Sequence, residues 1–398
     1  MNPADQKRLL ADVESFCEEL RPIEELCYVE HRFNDQLLPL AKKHNILAMP
    51  VPVEYGGRGA DAVTYARALA RIGGEGTGVR TFFSGHTSIG QYPILTWGNA
   101  EQKRRYLPPA ARGDKIMAFG LTEPEAGSNP LEMQMTYERR GDQFVLNGVK
   151  YLISNGGIAT TVVTFAYSKD AVGGAAGSKS RRISAFIVDT DGPGFSKEDL
   201  LAKMGMPTAN TAMFELTDYA VPAANLLGDE GSGFRIAMGT LVSGRLSVAA
   251  GCLGVIEDCL AEVVSYAKER HQHGKPIAKH QLVQEHIAAI EMHRLATKAV
   301  VMKAAEAKDG SAREPGNADL YARADLLAAQ AKLFAANAAW DAADRAVQIY
   351  GGRGWSTLYR PGRHLQDVRV CRIYEGTDEI LKLKVAAAVL GKEYEAYK

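Results

Sequence analysis

Cys371-Arg372-Ile373-Tyr374-Glu375-Gly376-Thr377-Asp378-Glu379-Ile380 is the stretch from which the rest of the chain is read. It sets one carboxylate, Glu375, between an aromatic ring and a glycine, just ahead of a run from Glu379 to Leu390 that suits a helix. A carboxyl group buried in such a place becomes a tunable general base. The same residues also allow a plainer reading, because acidic side chains favour the first turn of a helix. The decapeptide alone leaves both open.

Three upstream stretches bear on the choice. They are Ala118-Phe119-Gly120-Leu121-Thr122-Glu123-Pro124-Glu125-Ala126-Gly127-Ser128-Asn129, Arg270-His271-Gln272-His273-Gly274-Lys275-Pro276-Ile277-Ala278 and Gln348-Ile349-Tyr350-Gly351-Gly352-Arg353-Gly354. Together and in this order, the four stretches resemble the acyl-CoA dehydrogenase family. The resemblance runs from about Leu10 to about Gly391.

Composition narrows the partners. The 47 lysines and arginines balance 47 aspartates and glutamates, so no overall field draws the chain to nucleic acid or an anionic membrane. A chain of 398 residues is long enough for two or three domains with substantial cores. The five cysteines lack C-x-x-C spacing, which suggests reduced thiols in an intracellular compartment, with Cys252 and Cys259 packed on a helix face. The polar N-terminus reads as no signal peptide, and no apolar run is long enough to span a membrane.

Periodicity gives an α+β chain in three parts. Apolar residues at helical spacing, such as Leu9, Val13, Phe16 and Cys17, predict an N-terminal helical domain over 1–115. Segments rich in β-branched and aromatic residues (160–167, 182–188 and 211–218) predict a middle β domain over 116–228. Within it, Asn147-Gly148 predicts a two-residue hairpin turn between strands 143–146 and 149–154, and 171–178 predicts a flexible loop. Long helical blocks at 235–269, 281–307 and 318–350 predict a C-terminal bundle over 229–398. Neither a G-x-G-x-x-G nor a P-loop appears, so a Rossmann or P-loop nucleotide site is not indicated. His271, His273, His280 and His286 lack the spacing of a metal site, and no metal is expected.

The resemblance implies more than the patterns do. It implies FAD, bound between the β domain and the C-terminal helices and completed by a neighbouring subunit of a homotetramer. Phe119, Leu121, Thr122 and Ser128 would line the flavin, as would Leu152 and Ser154, which stand where the family usually has tryptophan and threonine. Arg270 would pair with the pyrophosphate, beside His273 in place of the usual phenylalanine, with Gln281, Gln348, Gly351, Gly352, Thr377 and Glu379 as the remaining cofactor contacts. Glu375 would take the α proton of an acyl-CoA thioester while flavin N5 accepts the β hydride. Some relatives carry their base directly before an arginine on an earlier helix, and here that place reads Ser243-Gly244-Arg245. Ser128, Arg245 and Tyr374 would contact substrate.

Arg80 and Ser84 fall four residues apart on a predicted helix, at places where glutaryl-CoA dehydrogenases receive the far carboxylate of their substrate. A carboxylated acyl-CoA such as glutaryl-CoA is therefore expected, unless Arg80 is paired with Glu75 or another acid. The alternatives are a short-chain, branched or aryl acyl-CoA such as benzylsuccinyl-CoA, other chemistry within the family, or a noncatalytic protein that keeps the fold for binding or assembly. An electron-transferring flavoprotein is the expected electron acceptor, in bacterial cytoplasm or a mitochondrial matrix.

Overall fold

The computed structural model describes residues 1–169, 182–394 and 396; the loop expected at 171–178 lies outside them. Helices come first: α1 (Pro3–Val29), α2 (Leu37–Lys43), α3 (Ala62–Gly73), α4 (Thr77–Phe83), α5 (Tyr92–Trp97) and α6 (Ala100–Arg112). Their starts are written in the sequence. The Asn2, Asp61 and Asn99 side chains each accept an amide hydrogen bond at the N-terminus of α1, α3 and α6, and Gln102 completes a capping box. Between α4 and α5 the residues Ser84–Gln91 wind as π-helix, which sequence periodicity does not reveal.

The middle of the chain forms an eight-stranded sheet from β1 (Met117–Gly120), β2 (Thr136–Arg140), β3 (Gln143–Ser154), β4 (Thr161–Ser168), β5 (Ile183–Asp189), β6 (Phe195–Asp199), β7 (Thr211–Pro222) and β8 (Leu226–Leu227). Its order is β6-β7-β3-β2-β4-β5-β8, with β1 added in parallel to β4. The expected hairpin at Asn147-Gly148 is not there. β3 runs through as one 12-residue strand, and the turn precedes it, between Arg140 and Gln143. Asn147 instead exchanges hydrogen bonds with Asp218 across the sheet (2.8 and 3.2 Å) at a bulge, where Gly148 takes φ +143°. A residue pair that suits a tight turn also suits a bulge.

A long helix, α7 (Gly233–Glu269), returns the chain to helical packing. A small ribbon, β9 (His271–Gln272) with β10 (Lys275–Pro276), leads to α8 (Gln281–Arg313), α9 (Ala318–Tyr350), α10 (Arg360–Val368) and α11 (Asp378–Leu390). The central helices are poor in large residues where they meet: α9 buries Ala335, Ala336, Ala339, Ala342, Ala343 and Ala346. α3 lies nearly backbone to backbone on α7, since an added Cβ at Gly73 would stand 2.6 Å from Gly251 Cα. One apolar core joins both helical parts, from Leu9 and Phe16 to Val301, Val368 and Cys371. The loop carrying Glu375 is thus fixed by the core itself. Among the described residues no helix is long and apolar enough to cross a membrane.

Candidate active site

Glu375 sits in the short segment between α10 and α11, in the left-handed region at φ +57°, followed by Gly376 at φ +98°. A non-glycine residue in that region costs of order 1–3 kcal/mol and persists only where its surroundings impose it. The surroundings here are two buried cations. Arg245 of α7 donates from Nε to the Glu375 carbonyl (3.1 Å), and Lys332 of α9 donates from Nζ to the Gly376 carbonyl (2.6 Å). Thr377 caps α11 by accepting from Ile380 N–H (3.3 Å), and Asp378 receives Arg372 (2.7 Å).

The Glu375 carboxyl points at α7. An added Cβ at Gly244 would lie 2.5 Å from Oε1 and 2.6 Å from Cδ, so the absence of a side chain there is what makes room for it. Oε2 is buried and, among the described residues, has no hydrogen-bond partner. Burial pushes the pKa up to about 7, against the opposing pull of Arg245, Arg80 and Lys332. Such a carboxyl can switch between its neutral and ionised forms near neutral pH. The helix-cap reading fails, since Thr377 does that work. Among the described residues the Glu375 N–H also donates to no carbonyl.

Arg80 is 2% exposed on α4, and Ser84, directly after that helix, is also buried. The alternative in which Glu75 pairs with Arg80 is not what the structure shows. Glu75 turns to the other side of Gly76, where its oxygens are taken by Arg21 (2.7 and 2.9 Å) and Arg71, with Arg360 at 3.8 Å. Among the described residues Arg80 has no carboxylate within 4.0 Å. Its guanidinium donates to the Tyr374 hydroxyl and lies 5.5 Å from the Tyr374 ring centroid, next to Cys371, whose Sγ is 3.3 Å from the same hydroxyl. Its stem crosses Gly251 of α7, where a Cβ would stand 2.9 Å from Arg80 Cγ. Arg245, expected at the thioester, makes its hydrogen bonds among the described residues to the Glu375 carbonyl and to Asp325 (3.0 Å).

The residues expected to hold a flavin divide in two. Phe119 is buried at the end of β1; Leu121 and Thr122 follow it, and Ser128 is exposed further along the same loop. That loop is pinned by a buried ion pair, Lys150 Nζ to Glu123 Oε1 (2.7 Å), and Glu123 also accepts from the backbone of Gln134 and Met135. The Tyr151 N–H donates to the Thr122 carbonyl (2.9 Å) and brings β3 alongside. Leu152 is 55% exposed at φ +59°, and Ser154 lies next to Gly85, within 3.5 Å of where a Cβ would be. Among the described residues no hydrogen bond occupies the hydroxyls of Thr122, Ser128 or Ser154. This free hydroxyl set and open apolar surface fit a flavin.

The second group, Arg270, His273, Gln281, Gln348, Gly351, Gly352 and Glu379, is exposed on the single chain. An added Cβ at Gly351 or Gly352 would meet nothing within 4 Å. Sequence reasoning passed over Lys332 and Asn155. The Asn155 amide ties β3 to α4 through the Phe82 carbonyl (3.0 Å), and no motif flags it. Among the described residues no group of three or more His, Cys, Asp and Glu side chains is placed to hold a metal.

The architecture is α+β, a mixed sheet between two helical parts, with a carboxyl oxygen at Glu375 that is buried and without a hydrogen-bond partner among the described residues. The chain belongs to the acyl-CoA dehydrogenase family: models of its N-terminal, middle and C-terminal domains match residues 3–114, 118–219 and 231–390. An acyl-CoA dehydrogenase of Bacillus subtilis is 40% identical over 376 residues, 94% of each chain. The solved butyryl-CoA dehydrogenase of Megasphaera elsdenii superposes with TM-score 0.90 at 34% identity, covering 98% of this chain and 99% of that one. A glutaryl-CoA dehydrogenase in complex with glutaryl-CoA superposes with TM-score 0.90 at 31% identity, covering 100% and 98%. Similarity over nearly the full length to relatives that are acyl-CoA dehydrogenases supports an enzyme over the noncatalytic reading.

The fit of Gly244 against Glu375 gives a direct test. Gly244→Ala should displace the carboxyl by a fraction of its own size and slow substrate-driven flavin reduction by about 10²-fold, the usual cost of a small misplacement at a reacting centre. Rapid-mixing absorbance at unchanged flavin content measures it.

Proposed function

We propose that this chain oxidises an acyl-CoA thioester with Glu375 as the base, and that the acyl group carries a far carboxylate. Enzymes of this family are FAD-dependent. The observation that carries the catalytic part is the buried Glu375 carboxyl with its unpartnered Oε2 and a pKa near working pH. Its ionised form takes the α proton. A thioester α proton is weakly acidic, so the developing enolate oxygen needs donors, and the uncommitted Glu375 N–H is one. Thr122, Ser128 and Ser154 of the β domain would hold FAD, which when bound would supply the acceptor for the β hydride. Phe119, Leu121 and Leu152 keep that region apolar and exclude water.

The carboxylated substrate rests on Arg80. A buried guanidinium without an acid partner is costly until an anion meets it, and Ser84 offers a hydroxyl one turn away. A second reading, a plain short-chain thioester, is favoured by the Tyr374 hydroxyl and ring that already engage Arg80, and by the likeness to a butyryl-CoA dehydrogenase. Anaerobic flavin bleaching with glutaryl-CoA and butyryl-CoA separates them. Under the first reading glutaryl-CoA bleaches faster, and Arg80→Ala lowers its kcat/KM by roughly 10²-fold with butyryl-CoA little changed. An unaltered preference would discard the carboxylate and leave the dehydrogenase. Electrons then pass to an electron-transferring flavoprotein. The exposure of Gln348, Gly351 and Gly352 supports a homotetramer in which these three residues complete a neighbour's flavin site. Either the bacterial cytoplasm or the mitochondrial matrix suits this reading.

A further inference from the structure

Lys332 is a fully buried lysine in the middle of α9 whose ammonium, among the described residues, has one hydrogen-bond partner, the Gly376 carbonyl at 2.6 Å. No carboxylate lies within 4.0 Å of it among those residues. A buried charge without a carboxylate partner is costly, and a leucine or methionine would fill the same helix position without that cost. The charge therefore has a use. Arg245 reaches the preceding carbonyl, that of Glu375, from the opposite helix. Two cations from α7 and α9 thus grip successive carbonyls of a segment whose residues both hold positive φ.

We propose that Lys332 is a positioning residue for the base: its ammonium clamps the Glu375–Gly376 peptide from α9 and lends positive potential to the place where the carboxylate and the enolate form. The proposal rests on Glu375 being the base. The charged and titratable groups that face this place are Arg245 and Cys252 from α7, Arg80 from α4, Lys332 from α9, and Cys371, Tyr374 and Asp378 on its own segment and the start of α11. Lys332 is one of three cations that favour ionised Glu375, after Arg245 and Arg80. Its loss raises the pH at which the base becomes active, whereas a residue that merely fills space would slow the reaction equally at every pH.

The test is the pH profile of kcat/KM for the FAD-loaded Lys332→Met, Lys332→Gln and Lys332→Arg proteins. Met and Gln should move the acidic half-point up by about one pH unit, a loss of about ten-fold below it that largely recovers on the alkaline side. Arg, which keeps the charge and a donor, should restore most of the native profile. Superimposable profiles for folded Met and Gln variants would overturn the proposal. So would a Met and Gln pair that cannot fold beside an Arg variant that behaves as native, since that outcome assigns Lys332 to stability alone. If Glu375→Gln retained native activity, the base assignment itself would fail, which is a different result from an unshifted Lys332 profile.

Discussion

Replacing Glu375 by glutamine should lower the rate of flavin reduction by acyl-CoA about 10⁴-fold while FAD still binds, because the amide cannot accept the α proton. Stopped-flow absorbance under anaerobic conditions reads this directly. The native enzyme should gain kcat/KM as pH rises through the Glu375 pKa, about 7, with the acidic limb absent from the glutamine variant. The same substitution has an opposite effect on stability. The folded pKa lies above that of the unfolded chain, so the unfolded state sheds its proton first, and stability falls as pH climbs from the ordinary carboxylate range to about 7. Glutamine removes that dependence. Above pH 7 the variant should therefore unfold at a higher temperature than the native protein by calorimetry, and the two should converge near pH 5. Asp367, also raised to about 7 by burial, is common to both proteins and cancels in the comparison.

Lys150→Met should destabilise the protein by about 3–5 kcal/mol, since it strands the Glu123 carboxylate at 4% exposure without its cation. The consequence reaches the cofactor. Glu123 holds the Leu121–Met135 loop by accepting from the Gln134 and Met135 backbone N–H groups, and losing its anchor to Lys150 should loosen the segment that presents Thr122 and Ser128. Weaker flavin retention on gel filtration should accompany a lower denaturant midpoint. Full flavin content with only the midpoint lowered would confine the pair to stability.

Much of the fold was legible because its signals are local. Asn99 and Gln102 mark the start of α6, and the β-branched runs mark β4, β5 and β7 by composition alone. Asn147-Gly148 misled because a turn and a bulge ask for the same backbone freedom, and the choice was made by Asp218, 71 residues away. The site divides likewise. Glu375 stood out by its neighbours in sequence, and Gly244 by the arginine after it. That the two occupy one point in space required the packing of α7 on the C-terminal segment. The partners of Arg80 were equally hidden: Glu75 is the acid nearest to it in sequence, but Gly76 turns it away to Arg21 and Arg71. Lys332 had no local signal, being one lysine in an alanine-rich helix.

The contact between Gly244 and the Glu375 carboxyl bears on how such enzymes diverge. On the proposed mechanism the proton acceptor occupies one volume with two postal addresses, one on a long helix and one on a loop, 131 positions apart in the chain (375 − 244). Only one can be tenanted at a time, because a carboxyl at either fills the volume the other would need. A base on the helix would therefore require a small residue at the loop position. In this chain the vacant address has been left to a hydrogen atom.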